Sequence, residues 1–381
     1  MVRPSSRSAR KPAAADHAHR LRCLRALAAA NGTPALLVTA PHDVAYLTGF
    51  HGGDSYLVVP ASGKPTIISD FRYVEELEPV RALARVVVRT GGMAEAVGKV
   101  LADARLRRVG LQAEHATLSL LAGLTKGSPG VKFVATTGLV AQLRAEKDAH
   151  EIALIRAAIR IEEAALEATL PRIDTALRKK GSISELCIAA ILESEMKTRG
   201  SSTPGFETII AAKANGSLPH YRPHEVKHTR NSPLLIDWGA VYNGYHGDQT
   251  RVLCWGKWPA KVREIYTVVR DAYLLAAAAL APGKTTREID AIARNHIARA
   301  GYGKQFGHGL GHGIGLDAHE DPRVTHMAAP TTLEPGHIVT IEPGIYLPGI
   351  GGVRIEDDFL ITKTGHENLC SLPTTLEWAT R

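Results

Sequence analysis

Between Gly307 and Gly315 every second residue is glycine, in the stretch FGHGLGHGIGLDAHEDP. Such a run cannot sustain a helix, because each glycine costs about 1 kcal/mol of helix propensity relative to alanine. It must therefore run extended. Strand alternation then places His308, Leu310, His312, Ile314 and Leu316 on one face and leaves the other face without side chains. A bare face lets a second backbone approach closely. His308 and His312 point the same way, two pleats apart, and His319 follows shortly after. The glycines complete no phosphate loop: neither GxxxxGK(S/T) nor GxGxxG occurs, and Gly283-Lys284-Thr285 lacks the leading glycine because residue 278 is alanine. HExxH also fails, since His319-Glu320 is followed by Asp321, Pro322 and Arg323. Three unremarkable histidines so close together would be unusual.

A second constraint is PLLIDWGAVYNGYHGDQTRVL, where Asn243-Gly244 is a strong two-residue hairpin signal. With those two residues as the loop, Tyr242 pairs with Tyr245, Asp237 faces Thr250 and Asp248 faces Gly239. Alternation puts Asp237 and Asp248 on one face, one diagonal step or about 7 Å apart. They are either a solvent-facing pair or two ligands of one centre. Asp237 follows the apolar run Leu234-Leu235-Ile236, which disfavours exposure.

A third stretch, HIVTIEPGIYLPGIGGVRIEDDFLIT, ends one apolar strand at Glu342 and carries Glu356 in the next. Their places mirror those of Asp237 and Asp248. The loop 343–352 is too irregular to set a register, and on local grounds Glu356 could equally pair with Arg354 or sit on a strand surface. Four carboxylates in one dry pocket are too costly unless cations cancel them. Two divalent ions would do so, with His312 completing an oxygen-rich set that suits Mn(II), Co(II) or Fe(II), with Zn(II) also accommodated. Two metals about 3.5–4 Å apart activate a bridging water and polarise a carbonyl.

The organisation around these stretches is mixed α and β. Strand-like runs at 35–40, 56–60, 66–69, 85–89, 108–112 and 132–136 alternate with helical patterns near 73–82, 93–106 and 115–125. From about residue 147 a helical pattern runs to Pro171. Helical patterns at 147–170 and 183–199 lead to strands at 207–213, 233–238 and 247–255. Further helices at 261–281 and 285–300 lead to strands at 308–316, 337–342 and 353–362. Two helices followed by strands, twice, predict a pseudo-twofold domain with its helices outside a shared sheet. The expected division is a disordered basic tail over 1–17, an α/β domain over 18–145 and a catalytic domain over 146–381.

Composition narrows the partners. The 381 residues carry a net charge of +8, but seven basic residues against Asp16 put +6 on the first 25, leaving about +2 on the rest. The charge lies on a tail and its junction rather than on a folded face, which argues against nucleic acid. The longest apolar run, Ala272 to Ala281, is half of what a membrane span requires. Four separated cysteines with no CxxC point to reduced thiols and a cytoplasmic protein. The amino-terminal stretch has no apolar core and is not a secretory signal.

SLPHYRP, IDWGAVYNGYHGDQTR, HGLGHGIGLDAHE, TIEPGIY and GVRIEDD together resemble the successive motifs of the Xaa-Pro peptidases. These are the prolidase and aminopeptidase P members of the pita-bread metallopeptidase family. YLTGFHGGDSYLVV resembles that family's creatinase-type amino-terminal domain. The resemblance implies metal ligands at Asp237, Asp248, His312, Glu342 and Glu356, and further active-site groups at His220, His308, His319, Arg354 and Tyr346. It implies hydrolysis of the bond between an N-terminal residue and proline by a hydroxide bridging two metals. His220 and His319 would hold the carbonyl, Glu342 would move the proton, and His308, Arg354 and Tyr346 would line or brace the site. Gln249, where an apolar residue is common, and Cys254-Trp255 depart from the family pattern without touching a ligand. The expected partner is a small peptide with proline second, and the expected assembly is a homodimer. Competing readings are a non-peptidic C–N hydrolase of the ectoine-derivative type, and a catalytically inactive binding module. The ligand set disfavours the module, because inactive relatives lack it.

Overall fold

The computed structural model describes residues 15–381. The expected basic tail over 1–17 lies outside the described residues as far as residue 14. Its end is not tail: Asp16 caps helix α1 (His17–Ala30) by accepting from His19 N at 2.8 Å. Arg20, at the tail's junction, is buried with its guanidinium over the Tyr46 ring at 4.0 Å. The chain divides between Arg144 and Ala145 into two compact units.

In the first unit, α1 is followed by β1 (Ala35–Val38), α2 (Pro41–Thr48), β2 (Tyr56–Pro60), β3 (Thr66–Ser69), β4 (Arg85–Val88), α3 (Met93–Asp103), β5 (Arg108–Gln112), α4 (Leu118–Gly127), β6 (Lys132–Thr136) and α5 (Leu139–Ala145). All six strands form one sheet of order β4-β3-β2-β1-β5-β6. Leu37, Val58, Ile68, Val97, Leu101 and Val109 pack between sheet and helices. The helix expected near 73–82 is instead two short 3-10 turns, Phe71–Tyr73 and Pro79–Ala82. Pro79 supplies no N–H, and the stretch is too short to repay helix nucleation.

The second unit opens with α6 (Ala149–Lys180), whose Asp148 and Glu151 form a reciprocal capping box. This helix runs straight through Pro171, where the sequence pattern had suggested its end. Ile173 and Leu177 beyond the proline are buried in the core, and that burial offsets the one lost backbone bond. Then come β7 (Ser182–Ser184), α7 (Glu185–Thr198), β8 (Ile209–Ala212), β9 (Lys227–Thr229), β10 (Pro233–Trp238), β11 (Val241–Tyr242), β12 (Tyr245–His246) and β13 (Gln249–Cys254). The second half runs α8 (Ala260–Ala278), α9 (Thr286–Arg299), β14 (Gly311–Gly313), β15 (Glu320–Val324), β16 (Ile338–Ile341), β17 (Gly344–Leu347), β18 (Gly351–Arg354), β19 (Asp357–Ile361), β20 (His366–Asn368) and α10 (Leu376–Ala379).

The two halves repeat one plan. Two helices precede β8, β10 and β13, which form a sheet of order β13-β10-β8. Two more precede β14, β16 and β19, which form the centre of a sheet of order β15-β14-β16-β19-β20. The expected shared sheet is therefore two sheets, joined where Glu356 N donates to Thr250 O at 3.2 Å. In each half a small hairpin is inserted between the second and third strands. In the first, Asp237 opposes Thr250 and Tyr242 opposes Tyr245, so one register runs from sheet to tip. Asn243 and Gly244 supply the two positive φ angles, +48° and +84°, that this turn requires. In the second, Ile341 opposes Asp357 and Gly344 opposes Arg354, again one register, which sets Glu342 directly across from Glu356. Glu356 thus lies between β18 and β19, not within a continuous strand.

The glycine-rich segment is extended as its composition demands, although only Gly311–Gly313 pairs as strand. A Cβ on Gly311 would meet Thr340 O at 1.9 Å, and one on Gly313 would meet Asp321 O at 2.2 Å. The bare face is thus filled by the neighbouring backbones on both sides. Leu310 and Ile314 on the other face are fully buried.

Candidate metal centre

Asp237 is the next-to-last residue of β10 and Asp248 immediately precedes β13; in the other half Glu342 immediately follows β16 and Glu356 immediately precedes β19. These four positions at strand ends gather around His312 of β14. His312 Nε2 stands 3.7 Å from Asp248 Oδ2 and 3.5 Å from Glu342 Oε1. Its Nδ1 faces Gly313 O at 3.0 Å, which fixes the ring and turns Nε2 to the carboxylates. Asp248, His312 and Glu356 each offer a ligand atom, all within 4.8 Å of one another. Arg354 braces the group: its Nη2 bonds Asp237 Oδ2, its Nη1 donates to the Tyr346 hydroxyl at 2.8 Å, and its Nε donates to Thr250 Oγ1 at 3.0 Å.

The electrostatics favour cations. Burial first, and then mutual repulsion, pushes the Asp248, Glu342 and Glu356 carboxyls upward, Glu356 to about 8. Burial raises Asp237 too, against the pull of Arg354. Burial lowers His312 to about 3, so it is a neutral imidazole able to donate a lone pair. Asp237 Oδ1 and Asp248 Oδ1 are buried with no hydrogen-bond partner. Orphaned carboxylate oxygens beside a neutral imidazole form a donor set that divalent cations fit.

The group lies in a cavity of about 520 Å³ whose walls include Phe206, Ile209, Pro219, His220, Tyr221 and Arg323. His319 stacks edge-on to His312 with ring centroids 4.2 Å apart. His308 Nε2 lies 3.0 Å from the Tyr346 hydroxyl, and its Nδ1 is 3.9 Å from Glu342 Oε2. Every site residue named from the sequence lines this cavity. The local alternative for Glu356 holds alongside: Arg354 Nε is 3.8 Å from its carboxylate.

The sequence matches two families in tandem. Residues 20–145 match the creatinase/prolidase N-terminal domain, and residues 153–363 match metallopeptidase family M24. The chain belongs to metallopeptidase family M24. Among M24 relatives, an uncharacterized peptidase of Bacillus subtilis, YqhT, is 34% identical over 94% of this chain and 99% of its own. A solved Xaa-Pro dipeptidase from Bacillus anthracis superposes with a TM-score of 0.90 at 34% identity, over 95% of this chain and 99% of that one. A solved X-Pro aminopeptidase from Thermotoga maritima gives 0.82 at 32% identity, over 90% and 97%.

Two residues of this M24 site escaped the sequence reading. Thr250 bonds both Glu356 and Arg354; its place opposite Asp237 follows from the hairpin, but these two partners had no local signal. Arg323 is an exposed cation in the cavity wall, without an ion-pair partner among the described residues. It had no local signal, since nothing in Asp321-Pro322-Arg323 tells where the side chain will point.

Proposed function

We propose that this metallopeptidase hydrolyses the bond between an N-terminal residue and proline, and that it acts on short peptides. The observation that carries the reading is four carboxylates, three buried and Glu342 half-buried, converging with one buried imidazole on the wall of a cavity. Asp237, Asp248, His312, Glu342 and Glu356 would hold two divalent ions, Mn(II) being the expected pair. When bound, such ions supply an ionised water at neutral pH and polarise a carbonyl.

The chain's own residues do the rest. His220 and His319 stand on the cavity wall beside the carboxylates and serve to hold a peptide carbonyl as charge develops on its oxygen. Glu342, whose carboxyl burial drives upward, is suited to take a proton and pass it to the leaving proline nitrogen. Tyr346, bonded to both His308 and Arg354, closes the wall on the Glu342 side. Phe206, Ile209 and Pro219 give apolar surface for a pyrrolidine ring. Arg323 fits the carboxylate of a dipeptide, which favours dipeptidase over aminopeptidase action. The four cysteines are all free, which suits a cytoplasmic enzyme.

The deciding experiment compares kcat/KM for Ala-Pro, Ala-Ala, Ala-Pro-Ala and an acylated diamino acid after Mn(II) loading. Proline over alanine should be worth about 10–200-fold, the discrimination a ring-sized apolar pocket affords. Equal rates on Ala-Pro and Ala-Ala would refute proline selectivity. Turnover of the acylated diamino acid alone would establish the C–N hydrolase instead.

A further inference from the structure

The segment that carries His220 has no regular structure of its own. Residues 218–226 run between a 3-10 turn, Lys213–Ser217, and β9, and His220 itself is exposed on the cavity. A segment so exposed gains little from apolar burial, so hydrogen bonds must hold its imidazole in place. Four bonds from this segment and the stretch before it converge on one side chain.

Glu185, the first residue of α7, is fully buried. Its Oε1 accepts from Ala212 N at 2.8 Å and from Asn215 Nδ2 at 2.9 Å. Its Oε2 accepts from the Tyr221 hydroxyl at 2.8 Å and from His224 N at 3.1 Å. Asn215 Nδ2 also donates to the Tyr221 oxygen at 2.8 Å, which closes a triangle. Two of the four donors precede His220 in the chain and two follow it. No cation pairs with Glu185 among the described residues. Its charge is met by these donors and by its place at the N-terminal end of a helix. A buried carboxylate is costly unless its acceptors are used, and here the four bonds lead to the last residue of β8, the turn that follows it and the loop of His220.

The other end of the contact is the sheet that carries Asp237. Ala212 closes β8, and β8 pairs with β10, where Ile209 opposes Asp237. The 3-10 turn is wedged against the second half as well: a Cβ on Gly352 would meet Gly216 O at 2.0 Å. We infer that Glu185 is a positioning residue for His220, pinning the chain on both sides of that imidazole to the strand that lies against β10. It sets where the imidazole stands relative to the carboxylates without touching substrate. Only the activity arm of its test rests on the peptidase reading.

Glu185→Gln keeps the side-chain volume but turns an NH2 toward two of the four donors. Amide exchange by mass spectrometry should show faster deuterium uptake across 213–226, with 237–254 unchanged. On the Mn(II)-loaded full chain, kcat/KM for Ala-Pro should fall about 10–100-fold, the cost of a misplaced group, with metal content unchanged. In a His220→Ala background the same substitution should change kcat/KM by no more than about twofold, because the group it positions is gone. A structural role alone would give the same fold-loss in both backgrounds, and that result would overturn the inference. Unchanged uptake over 213–226 would overturn it too. Should Glu185→Gln fail to fold, Tyr221→Phe removes one donor and carries the same arms. If the metal-loaded wild type turns over no peptide, the peptidase reading fails while the exchange arm still decides the role of Glu185.

Discussion

Thr250 Oγ1 donates to Glu356 Oε2 at 2.6 Å, across the seam where the two sheets of the catalytic unit meet. The same oxygen accepts from Arg354 Nε at 3.0 Å. One hydroxyl therefore orients a carboxylate from the second half and the guanidinium that holds Asp237 of the first. Thr250→Val removes both bonds at nearly constant volume. It should lower divalent-metal affinity about 10–100-fold, the usual cost of losing a group that orients a ligand. It should also cost about 1–3 kcal/mol of metal-free stability, because a buried acceptor and donor lose their partner. Thr250→Ser should restore both. Isothermal titration with Mn(II) and urea unfolding read the two effects; wild-type metal affinity in Thr250→Val would remove Thr250 from the site.

His312 and His319 lie ring against ring, yet their expected losses differ. His312 Nε2 faces two carboxylates, so His312→Ala should lose bound metal on gel filtration. His319→Ala should keep its metal and lose about 10²–10³ in rate, as when a contact to a developing oxyanion is removed. Elemental analysis separates the two. Equal metal loss in both variants would assign His319 to the ligand set.

Arg323→Ala should discriminate between substrate lengths. If its guanidinium takes the carboxylate of a dipeptide, KM for Ala-Pro should rise about 10-fold or more while an amidated Ala-Pro is little affected. Parallel loss on both substrates would place Arg323 elsewhere in the reaction.

Acid stability should show His228. This imidazole is fully buried against Trp255, with Nε2 unpartnered, and burial followed by the nearby Lys213 lowers its pKa to about 4. Between that value and about 6.5 the unfolded chain binds the proton and the folded chain does not. The contribution is therefore present above pH 6.5 and is lost as pH falls toward 4. At pH 5 the loss relative to pH 8 should be about 2 kcal/mol. His228→Phe should flatten the fall in urea-derived stability over that window. An unchanged slope would mean that other groups govern it.

Some of this molecule could be read directly from residue order. Asn243-Gly244 sets the first hairpin's register because two positive φ angles in succession admit little else, and Asp237 then has to face Thr250. The alternating glycines demand an extended segment with all its side chains on one side. Both are local rules, in which the constraint and its consequence lie within a few residues. The opposition of Glu342 and Glu356 was not readable. Its hairpin turns through Pro348, Gly349 and Ile350, which carry no two-residue turn signature, and its register is held by pairing along β17 and β18. Helix α6 outran its proline for a similar reason, since Ile173 and Leu177 are buried by partners distant in sequence. The amino-acid order alone determined which residues had the chemistry for a metal centre and how each half of the catalytic unit repeats the other. Tertiary structure alone decided that Thr250 would join the halves, that Arg323 would face the cavity, and that Glu185 would gather the loop of His220. The Thr250–Glu356 and Glu185–Tyr221 bonds span 106 and 36 residues of chain with no periodic pattern between them, and only packing brings such groups together.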